Sequence, residues 1–255
     1  MSVRVVKIGG AALADASWLE AFAASAASSA EPYVIVHGGG PEISALSAQL
    51  GIEVEWVQGR RMTPPAALDV ASMVLNGRIN KRIVSALLDA GIDALGLSGV
   101  DGALVQADVA ADGALGCVGK VMHVRAELLE RLLNAGMVPV IAPISRGPAG
   151  SQLNVNADEV AAAIAVALNA CELLFVTDVA GVRDAAGLTC ASLSVADAHA
   201  FLADGVAAGG MAVKLRAALD ALASGVSQVR VGGVSSLADT LAGTVIVPAI
   251  AEVAA

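Results

Sequence analysis

The first strand-like segment of the chain reads Val5-Val6-Lys7-Ile8-Gly9-Gly10. Its three β-branched residues predict a buried strand, and the two glycines predict a tight turn where that strand ends. Similar short apolar runs alternate along the chain with longer stretches rich in alanine and leucine. This alternation is typical of βα units, so the sequence predicts an α/β fold with a mostly parallel sheet.

The alternation predicts where the elements lie. Strands are expected over residues 3–8, 33–36, 94–97, 138–142, 173–177, 228–231 and 244–247, and helices over 17–27, 42–50, 65–90, 126–134, 158–169, 195–203 and 211–223. Two hairpins are expected, one formed by 53–57 and the run before Thr63, the other within 103–121. Because no linker rich in proline, serine or charge divides the chain, residues 1–150 and 151–255 are predicted to be two lobes of one continuous fold.

Composition narrows the class of protein. Of the 255 residues, 56% are hydrophobic and 15% are charged, which indicates a well-packed globular protein. A nucleic-acid partner would require a basic face, but the formal net charge is −9. Aromatic residues make up only 2% of the chain, so the usual stacking platform for single strands is also missing. We therefore expect no nucleic acid as partner, and no membrane partner is expected either.

Cysteine usage and the start of the sequence bear on the compartment. Cys117, Cys171 and Cys190 are not closely paired, so neither a disulfide framework nor a metal cluster is indicated. The chain enters a strand-like run at once, without the pattern of a secretory signal. Its most apolar helical stretch, 160–168, is too short to span a bilayer. These features predict a cytoplasmic protein.

Two lysines stand beside glycine pairs in distant parts of the sequence. Lys7 precedes Gly9-Gly10, and Lys214 follows Gly209-Gly210. Glycine lets backbone N–H groups approach phosphate oxygens closely, while lysine supplies a compact positive charge. Two such elements suggest a site that holds a phosphate chain from both sides, and they predict phosphoryl transfer.

A third glycine-rich segment reads His37-Gly38-Gly39-Gly40-Pro41. It follows a predicted strand and precedes a predicted helix, where Pro41 suits the first turn. Three glycines there would expose consecutive amides at the positive end of the helix, which suits anionic oxygens. An ordinary tight turn is the alternative, but it rarely needs three glycines. We therefore interpret the segment as an anion-binding loop.

Standard nucleotide-binding motifs are missing from the sequence. Gly119-Lys120 is followed by Val121 and has Ala114 where a P-loop has its first glycine. No strand-linked G-x-G-x-x-G is found either. An ATP site in this chain must therefore be of another type.

Two further segments allow two readings each. In Asn154-Val155-Asn156-Ala157-Asp158 the polar residues either cap a helix or, by alternation on an extended segment, point Asn154 and Asn156 into a cleft. The segment 177–182 follows a buried strand and is either a ligand-binding loop or a polar turn. His123 and His199 are isolated from possible catalytic partners, and we read both as structural or surface residues.

Taken together, these segments resemble the amino acid kinase family, and the acetylglutamate kinases within it most closely. The resemblance covers nearly the whole chain in order. It rests on the motifs Val-Lys7-Ile-Gly-Gly, Val-His37-Gly-Gly-Gly-Pro, Gly59-Arg-Arg61-Met-Thr63, Asn80-Lys81, Gly96-Leu-Ser-Gly-Val-Asp101-Gly, Asn154-Val-Asn-Ala-Asp158, Thr177-Asp-Val-Ala-Gly181 and Gly210-Met-Ala-Val-Lys214. The last three together are highly specific, whereas the short glycine motifs are shared with carbamate, aspartate and uridylate kinases.

The resemblance implies a fold and a reaction. The fold would be an open, mainly parallel sheet of about eight strands sandwiched by helices. The N-terminal lobe would bind an acyl amino acid and form the dimer interface, and the C-terminal lobe would bind ATP with its Mg²⁺. The reaction would be ATP-dependent phosphorylation of the side-chain carboxylate of N-acetyl-L-glutamate, which gives an acyl phosphate in arginine biosynthesis.

The resemblance also implies a role for each site residue. Lys7 and Lys214 would neutralise the transferring phosphoryl group, and Asp158 would orient both lysines. Arg61 would hold the α-carboxylate of the substrate, and Asn154 would complete that contact. The expected substrate-binding residues are Gly39, Gly40, Pro41, Arg61, Asn154 and Asn156. The expected nucleotide-binding residues are Gly9, Gly10, Asp178, Val179, Ala180, Gly181, Val182, Arg183, Val206, Ala207, Ala208 and Met211, and no protein ligand to a metal is expected.

Two departures from the family pattern leave alternatives open. Lys120 stands where an acidic residue is expected, and Gln58-Gly59-Arg60 is more basic than usual. Either could signal a carrier-linked aminoadipate kinase of lysine biosynthesis, although the segment 154–158 favours acetylglutamate. A catalytically inactive nucleotide or arginine sensor is the other alternative. The presence of all three expected catalytic residues argues against a sensor.

The resemblance finally implies an assembly. Family members that arginine inhibits carry an extra helix ahead of the first strand, which links dimers into a hexameric ring. Because the first strand here is predicted to begin at about Val3, we expect a homodimer that meets around the helix 65–90. We also expect no physiologically useful inhibition by arginine.

Overall fold

The computed structural model describes residues 2–57 and 60–248. Gln58 and Gly59, which contribute to one of the departures and to one of the motifs, lie outside the described residues. The strands are β1 Arg4–Ile8, β2 Tyr33–His37, β3 Trp56–Val57, β4 Arg60–Arg61, β5 Ala94–Gly99, β6 Val105–Val109, β7 Gly119–Val124, β8 Val138–Arg146, β9 Gln152–Asn154, β10 Glu172–Val176, β11 Ser192–Ser194, β12 Val229–Gly232 and β13 Thr244–Val247. The α-helices are α1 Ala16–Ala27, α2 Gly40–Gln49, α3 Pro65–Ser72, α4 Asn80–Asp89, α5 Ala126–Asn134, α6 Ala157–Ala167, α7 Val195–Ala203 and α8 Gly209–Ala223.

One sheet runs through both halves of the chain. Its order is β11-β13-β12-β10-β1-β2-β8-β6-β7, with β5 and β9 also paired to β8. The central strands from β12 to β8 are all parallel, which confirms the predicted α/β fold with a mainly parallel sheet. Over the described residues the sheet has 11 strands rather than about eight, because short strands such as β9 and β11 join it.

Several predicted elements have different bounds. The helix predicted over 65–90 is one helical run, but a π-helical segment, Met73–Ile79, lies between α3 and α4. Helices α2 and α8 begin at Gly40 and Gly209, two residues earlier than predicted. Both predicted hairpins are confirmed, as the antiparallel pairs β3–β4 and β6–β7.

Strand alternation divides the core between the two faces of the sheet. Val5 and Val36 pack with α6 and α8 on one face, whereas Ile8 and Ile35 pack with α1 and α4 on the other. Because alternate side chains point to opposite faces, the Lys7 side chain leaves β1 toward α6. None of the helices in the described part of the chain is both long and apolar enough for a bilayer crossing.

The position of β1 creates a crevice at the carboxyl ends of the central strands. The chain continues from β1 to β2 on one side, while β10 and β12 lie on the other side. Ile8 is in register with both His37 and Val176, so the loops after three neighbouring strands begin at the same level. In open parallel sheets, ligands bind where the strand order reverses in this way.

At the amino ends of the central strands, a buried carboxylate bridges two arginines. Glu172 lies 2.6 Å from Nη2 of Arg4 and 2.7 Å from Nε of Arg230. Both guanidinium groups also donate to backbone carbonyls between Ser236 and Ala242. The cluster therefore anchors the segment before β13 to the amino ends of three parallel strands.

Glu172→Gln should destabilise the fold by about 3–5 kcal/mol, because it removes the one buried carboxylate that two buried guanidinium groups share. Chemical denaturation measures this loss, and kcat of the folded variant should stay close to that of the wild type. The matched control is Glu31→Gln, since Glu31 lies 3.7 Å from Arg4 with a side chain that is 40% exposed. Equal effects of the two substitutions would contradict the structural role given to Glu172.

Candidate active site

A cavity of about 260 Å³ opens at the carboxyl ends of the central strands. It brings together residues from the first glycine turn, the second glycine loop, the β3–β4 hairpin and the segment before α6. Its lining includes Lys7, Gly10, Gly38, Gly39, Gly40, Trp56, Arg61, Asn154, Asn156 and Glu159. Lys7 thus meets six other residues that the sequence proposed for substrate or nucleotide binding: Gly10, Gly39, Gly40, Arg61, Asn154 and Asn156.

An ion pair joins β1 to α6 at this cavity. The Lys7 Nζ lies 2.7 Å from Oδ1 of Asp158, and both side chains are largely shielded from solvent. Asp158 belongs to the first turn of α6, where the partial positive charge of the helix favours a carboxylate. The Asn156 side chain caps that turn by accepting a hydrogen bond from the Asp158 N–H at 2.9 Å. The pair therefore holds the ammonium group in a fixed place at the cavity wall.

The two glycine loops approach each other more closely than other residues would allow. A Cβ atom on Gly10 would lie 2.7 Å from the backbone Cα and N of Gly39. A Cβ atom on Gly39 would in turn lie 2.5 Å from Ile79 and 2.7 Å from Leu75, both in the π-helical segment. Within the described residues, the N–H groups of Gly39 and Gly40 have no hydrogen-bond acceptor. This arrangement suits an anion, as the sequence predicted.

Arg61 presents a guanidinium group that is only partly satisfied by the protein. Its Nη2 donates to the Gly40 carbonyl at 3.1 Å and to Oγ of Ser44 at 2.6 Å. The Trp56 ring centroid lies 4.7 Å from the guanidinium carbon, which is a cation–π contact. Nη1 is buried and has no partner among the described residues, and burial lowers the pKa of Arg61. Because arginine stays charged in proteins, these free N–H groups can receive a carboxylate.

The asparagine segment fulfils both readings of its sequence. Asn154 and Asn156 both line the cavity, as alternation predicted, and Asn156 also caps α6. The Asn154 Nδ2 donates to Oγ1 of Thr63 at 3.2 Å, which ties it to the segment that follows β4 and Arg61. Its amide oxygen stays available to a ligand.

The remaining site residues lie on the other side of the crevice. Asp178 follows β10, and its pKa is below the ordinary value, chiefly because the Thr177 hydroxyl donates to it, with a further contribution from the charge of Lys214. Lys214 lies in α8 and is not among the described residues that line the 260 Å³ cavity. Because the charge of Lys214 acts on Asp178, the second turn of α8 lies near the loop after β10.

Some predicted nucleotide-binding residues have structural roles. Val182 is completely buried, and its N–H donates to Oγ1 of Thr244 at 2.8 Å. A Cβ atom on Gly181 would lie 2.6 Å from the same hydroxyl. Ala207 is also buried. The cavity is lined by neither Gly9 nor Pro41, and the roles given to the predicted nucleotide-binding residues stay predictions.

Lys120, the departure noted in the sequence, does not line this cavity. It lies on β7 in a neighbouring groove of about 910 Å³ that runs along α6 and α8. Residues that the sequence analysis missed are Trp56, which contacts Arg61, and Glu159, whose Oε1 accepts from the Val121 N–H at 2.7 Å. Their signal was only a tryptophan in a hairpin and a second acid beside Asp158.

Comparisons with known proteins match the chain over most of its length. The model of the amino acid kinase family matches residues 2–233. The chain belongs to the amino acid kinase family. It is an enzyme that uses ATP as phosphoryl donor, as kinases of this family do.

Several relatives of this amino acid kinase are similar to it in sequence or structure. The acetylglutamate kinase of Chloroflexus aurantiacus is 44% identical over 241 residues, which cover 93% of this chain and 94% of that protein. The crystal structure of smu.665 from Streptococcus mutans superposes with a TM-score of 0.79 at 30% identity, covering 96% of this chain and 98% of that chain. Carbamate kinase from Giardia lamblia gives a TM-score of 0.70 at 17% identity, covering 97% and 98%, and supports the fold alone.

The contact between the glycine loops gives a sharp prediction. Gly10→Ala should lower kcat by roughly 100-fold or more, because the new methyl group displaces the Gly39 backbone and its amide. Gly9→Ala is the matched variant, since a Cβ atom there would meet nothing within 4 Å. Steady-state kinetics should find the Gly9→Ala loss at least several times smaller. Equal losses would show that the close approach of Gly10 to Gly39 does not shape the site.

Proposed function

We propose that this amino acid kinase transfers the terminal phosphoryl group of ATP to the side-chain carboxylate of N-acetyl-L-glutamate. Such a reaction needs a fixed cation and free amides for the phosphoryl group, together with a separate cationic fork for a second carboxylate. The observation that carries the proposal is that Lys7, Arg61 and residues of both glycine loops line one cavity of about 260 Å³. The close similarity to acetylglutamate kinases over most of the chain supports the same acceptor. The product is an acyl phosphate, and acetylglutamate kinases form it in arginine biosynthesis.

The acceptor site discriminates by charge and by size. The unpartnered Nη1 of Arg61 would donate to the α-carboxylate of the substrate, and Asn154, which lines the same cavity, would complete that contact. A cavity of this volume suits a small acyl amino acid and leaves no room for a nucleotide as well. The side-chain carboxylate would then extend toward Lys7 and the glycine amides.

The chemistry requires alignment and charge neutralisation. A carboxylate is ionised at neutral pH and is already a competent nucleophile, so the protein need not supply a general base. One carboxylate oxygen forms a bond to the γ-phosphorus, while the bond from that phosphorus to the bridging oxygen breaks. ADP leaves with the electron pair of that bond. The protein contributes by holding both reactants in line.

Positive groups on both sides of the crevice would stabilise this transfer. Lys7, held by Asp158, lines the acceptor cavity together with Gly10 and Gly40, whose amides would help it neutralise the transferring group. Lys214 would neutralise the leaving phosphate from the α8 side, and Asp178 to Arg183, Val206 to Ala208 and Met211 would surround the nucleotide. Cations and amides fixed in advance are effective because they need no reorganisation during the reaction.

Mg²⁺ would be held mainly by the nucleotide. The described residues contain no group of three or more histidine, cysteine or acidic side chains that could hold a metal ion. The free glycine amides and the two lysines fit a phosphate chain that brings its own cation, bound by phosphate oxygens and water. When bound, the metal would supply further neutralisation of the phosphate charge.

The acceptor assignment is tested by a panel of acceptors in one assay of ADP release. N-acetylglutamate should have the highest kcat/KM among N-acetylglutamate, glutamate, aspartate, carbamate, uridylate and an N-acylated 2-aminoadipate. Preference for the aminoadipate derivative would favour the lysine-pathway rival, and no turnover with any of them would favour a sensor. Lys120→Glu should not change the order of preference, since Lys120 lies outside the cavity.

Lys7→Ala or Lys214→Ala should lower kcat by roughly 100-fold or more, because each removes a cation from the transferring group in a site shielded from water. Single-turnover kinetics measure this change. Lys120→Ala, which removes an exposed lysine from the neighbouring groove, serves as the control and should keep kcat within about twofold. A lysine whose removal left kcat near the wild-type value would have no part in the transfer.

Arg61→Lys should raise KM for acetylglutamate far more than KM for ATP, because it keeps the charge but loses the planar fork. The matched control is Arg82→Lys, since Arg82 forms a two-point contact with Glu42 away from the cavity. Initial rates with each substrate varied in turn separate the two effects. A change confined to KM for ATP would place Arg61 on the nucleotide side instead.

We also propose a cytoplasmic homodimer that meets along the helical run from α3 to α4. Met73 and Leu88 on this run are 54% and 51% exposed, which favours a partner surface. The three cysteines are all free, which fits a reducing compartment. Sedimentation of the purified protein tests the dimer.

Insensitivity to arginine stays a prediction, and titration of arginine into the same kinase assay checks it.

A further inference from the structure

His37 is buried behind the second glycine loop and has no role in the reaction as described so far. It ends β2 on the face that packs against α4, and its side chain is 0% exposed. Lys7 leaves the neighbouring strand toward α6 on the opposite face. The imidazole therefore lies behind the glycine loop as seen from the cavity, and it is not among the described groups that line the cavity.

A chain of hydrogen bonds fixes the state of this imidazole. Lys81 Nζ donates to Oδ1 of Asn80 at 3.0 Å, so the amide nitrogen of Asn80 faces the other way. That nitrogen donates to the Val140 carbonyl at 2.9 Å, and its second N–H lies near both Nε2 of His37, at 3.3 Å, and the Leu97 carbonyl, at 3.4 Å. Because an amide nitrogen only donates, a proton on Nε2 would oppose it, so the neutral ring carries its proton on Nδ1. Nδ1 then donates to the Gly38 carbonyl at 3.1 Å.

Two further observations agree with a neutral imidazole held in this chain. Burial lowers the pKa of His37 to about 4, with a smaller lowering by the charge of Lys81, against the opposing effect of the hydrogen bond to Gly38. The glycine at position 96 also leaves space for the Asn80 and Lys81 side chains of this hydrogen-bond chain. A Cβ atom there would lie 2.7 Å from Nζ of Lys81 and closer still to the Asn80 side chain.

The Gly38 carbonyl determines where the next amide points. In a trans peptide the C=O of one residue and the N–H of the next point in opposite directions, and the described backbone has no cis peptide bond. A Gly38 carbonyl directed at the imidazole therefore turns the Gly39 N–H away from it. Within the described residues that N–H has no acceptor, and Gly39 lines the cavity.

We propose that His37, Asn80 and Lys81 are positioning residues, which hold the Gly38–Gly39 peptide so that the Gly39 N–H faces the transferring phosphoryl group. The proposal rests on the proposed function, because it gives that reaction one of its fixed amide donors. The π-helical segment contributes to the same end, since Leu75 and Ile79 occupy the space where a side chain on Gly39 would lie. The donor is set before the substrates bind.

Two substitutions of His37 separate positioning from packing. In His37→Asn the side-chain nitrogen takes the place of Nδ1 and can still donate to the Gly38 carbonyl. In His37→Gln the amide oxygen takes the place of Nε2 and can still accept from Asn80, but no donor replaces Nδ1 beside the Gly38 carbonyl. His37→Gln should lower kcat roughly 10- to 100-fold, as expected when an amide donor to the transition state is misplaced, with both KM values changed much less. His37→Asn should recover most of that loss.

The matched control is Val36→Ala, which removes buried volume from the same strand and leaves the hydrogen bonds of His37, Asn80 and Lys81 intact. It should lower the melting temperature and leave kcat of the folded enzyme unchanged. If His37→Asn and His37→Gln had the same kcat, whether high or low, the imidazole would act only as packing and the proposal would be overturned.

A measurement on the wild type decides the same point even where a variant does not fold. Long-range proton–nitrogen NMR correlations of the three histidines should identify one neutral ring with its proton on Nδ1 at neutral pH. Loss of these signals in His37→Asn would assign them to His37. If that variant does not fold, the ring signals can be assigned through the backbone of the wild type. A proton on Nε2, or a charged ring, would overturn the proposal. This readout does not depend on the acceptor, so loss of acetylglutamate activity in the wild type would contradict only the proposed function.

Discussion

The site depends on the parallel register of three strands. Ile8 at the end of β1 lies level with His37 on one side and Val176 on the other, so three loops leave the sheet at one height. Lateral hydrogen bonds between parallel strands fix that level, and the buried cluster around Glu172 secures the opposite ends of the same strands. A shift of β1 by one residue would turn Lys7 to the wrong face and separate it from Asp158.

The two faces of the sheet divide the work at this edge. On one face Lys7 meets Asp158 in the first turn of α6, which sets the cation. On the other face the helical run from α3 to α4 occupies the space where a Gly39 side chain would lie, and its Asn80 contacts His37. In our proposal these contacts set the backbone of the second glycine loop. The reactive groups therefore sit on rigid elements, and that rigidity lets alignment and charge account for the chemistry.

Local patterns in the sequence were sufficient for the alternation of strands and helices, both hairpins and the glycine loops. Alternation also predicted that Asn154 and Asn156 point into a cleft, and both line the cavity. The three-residue strands β9 and β11 escaped prediction because their pairing partners are distant in sequence. The same reason hid the Trp56–Arg61 contact and the link from His37 to Asn80, since each depends on how the hairpin or α4 docks on the sheet.

The central claim is that a carboxylate oxygen of acetylglutamate attacks the terminal phosphorus of ATP in this cavity. Labelling the side-chain carboxylate with ¹⁸O and following the reaction by ³¹P NMR tests it most directly. The account predicts an acyl phosphate resonance with the upfield shift of one ¹⁸O bonded to phosphorus, formed at the same rate as ADP. Release of ADP with unlabelled inorganic phosphate, and no labelled acyl phosphate, would contradict it.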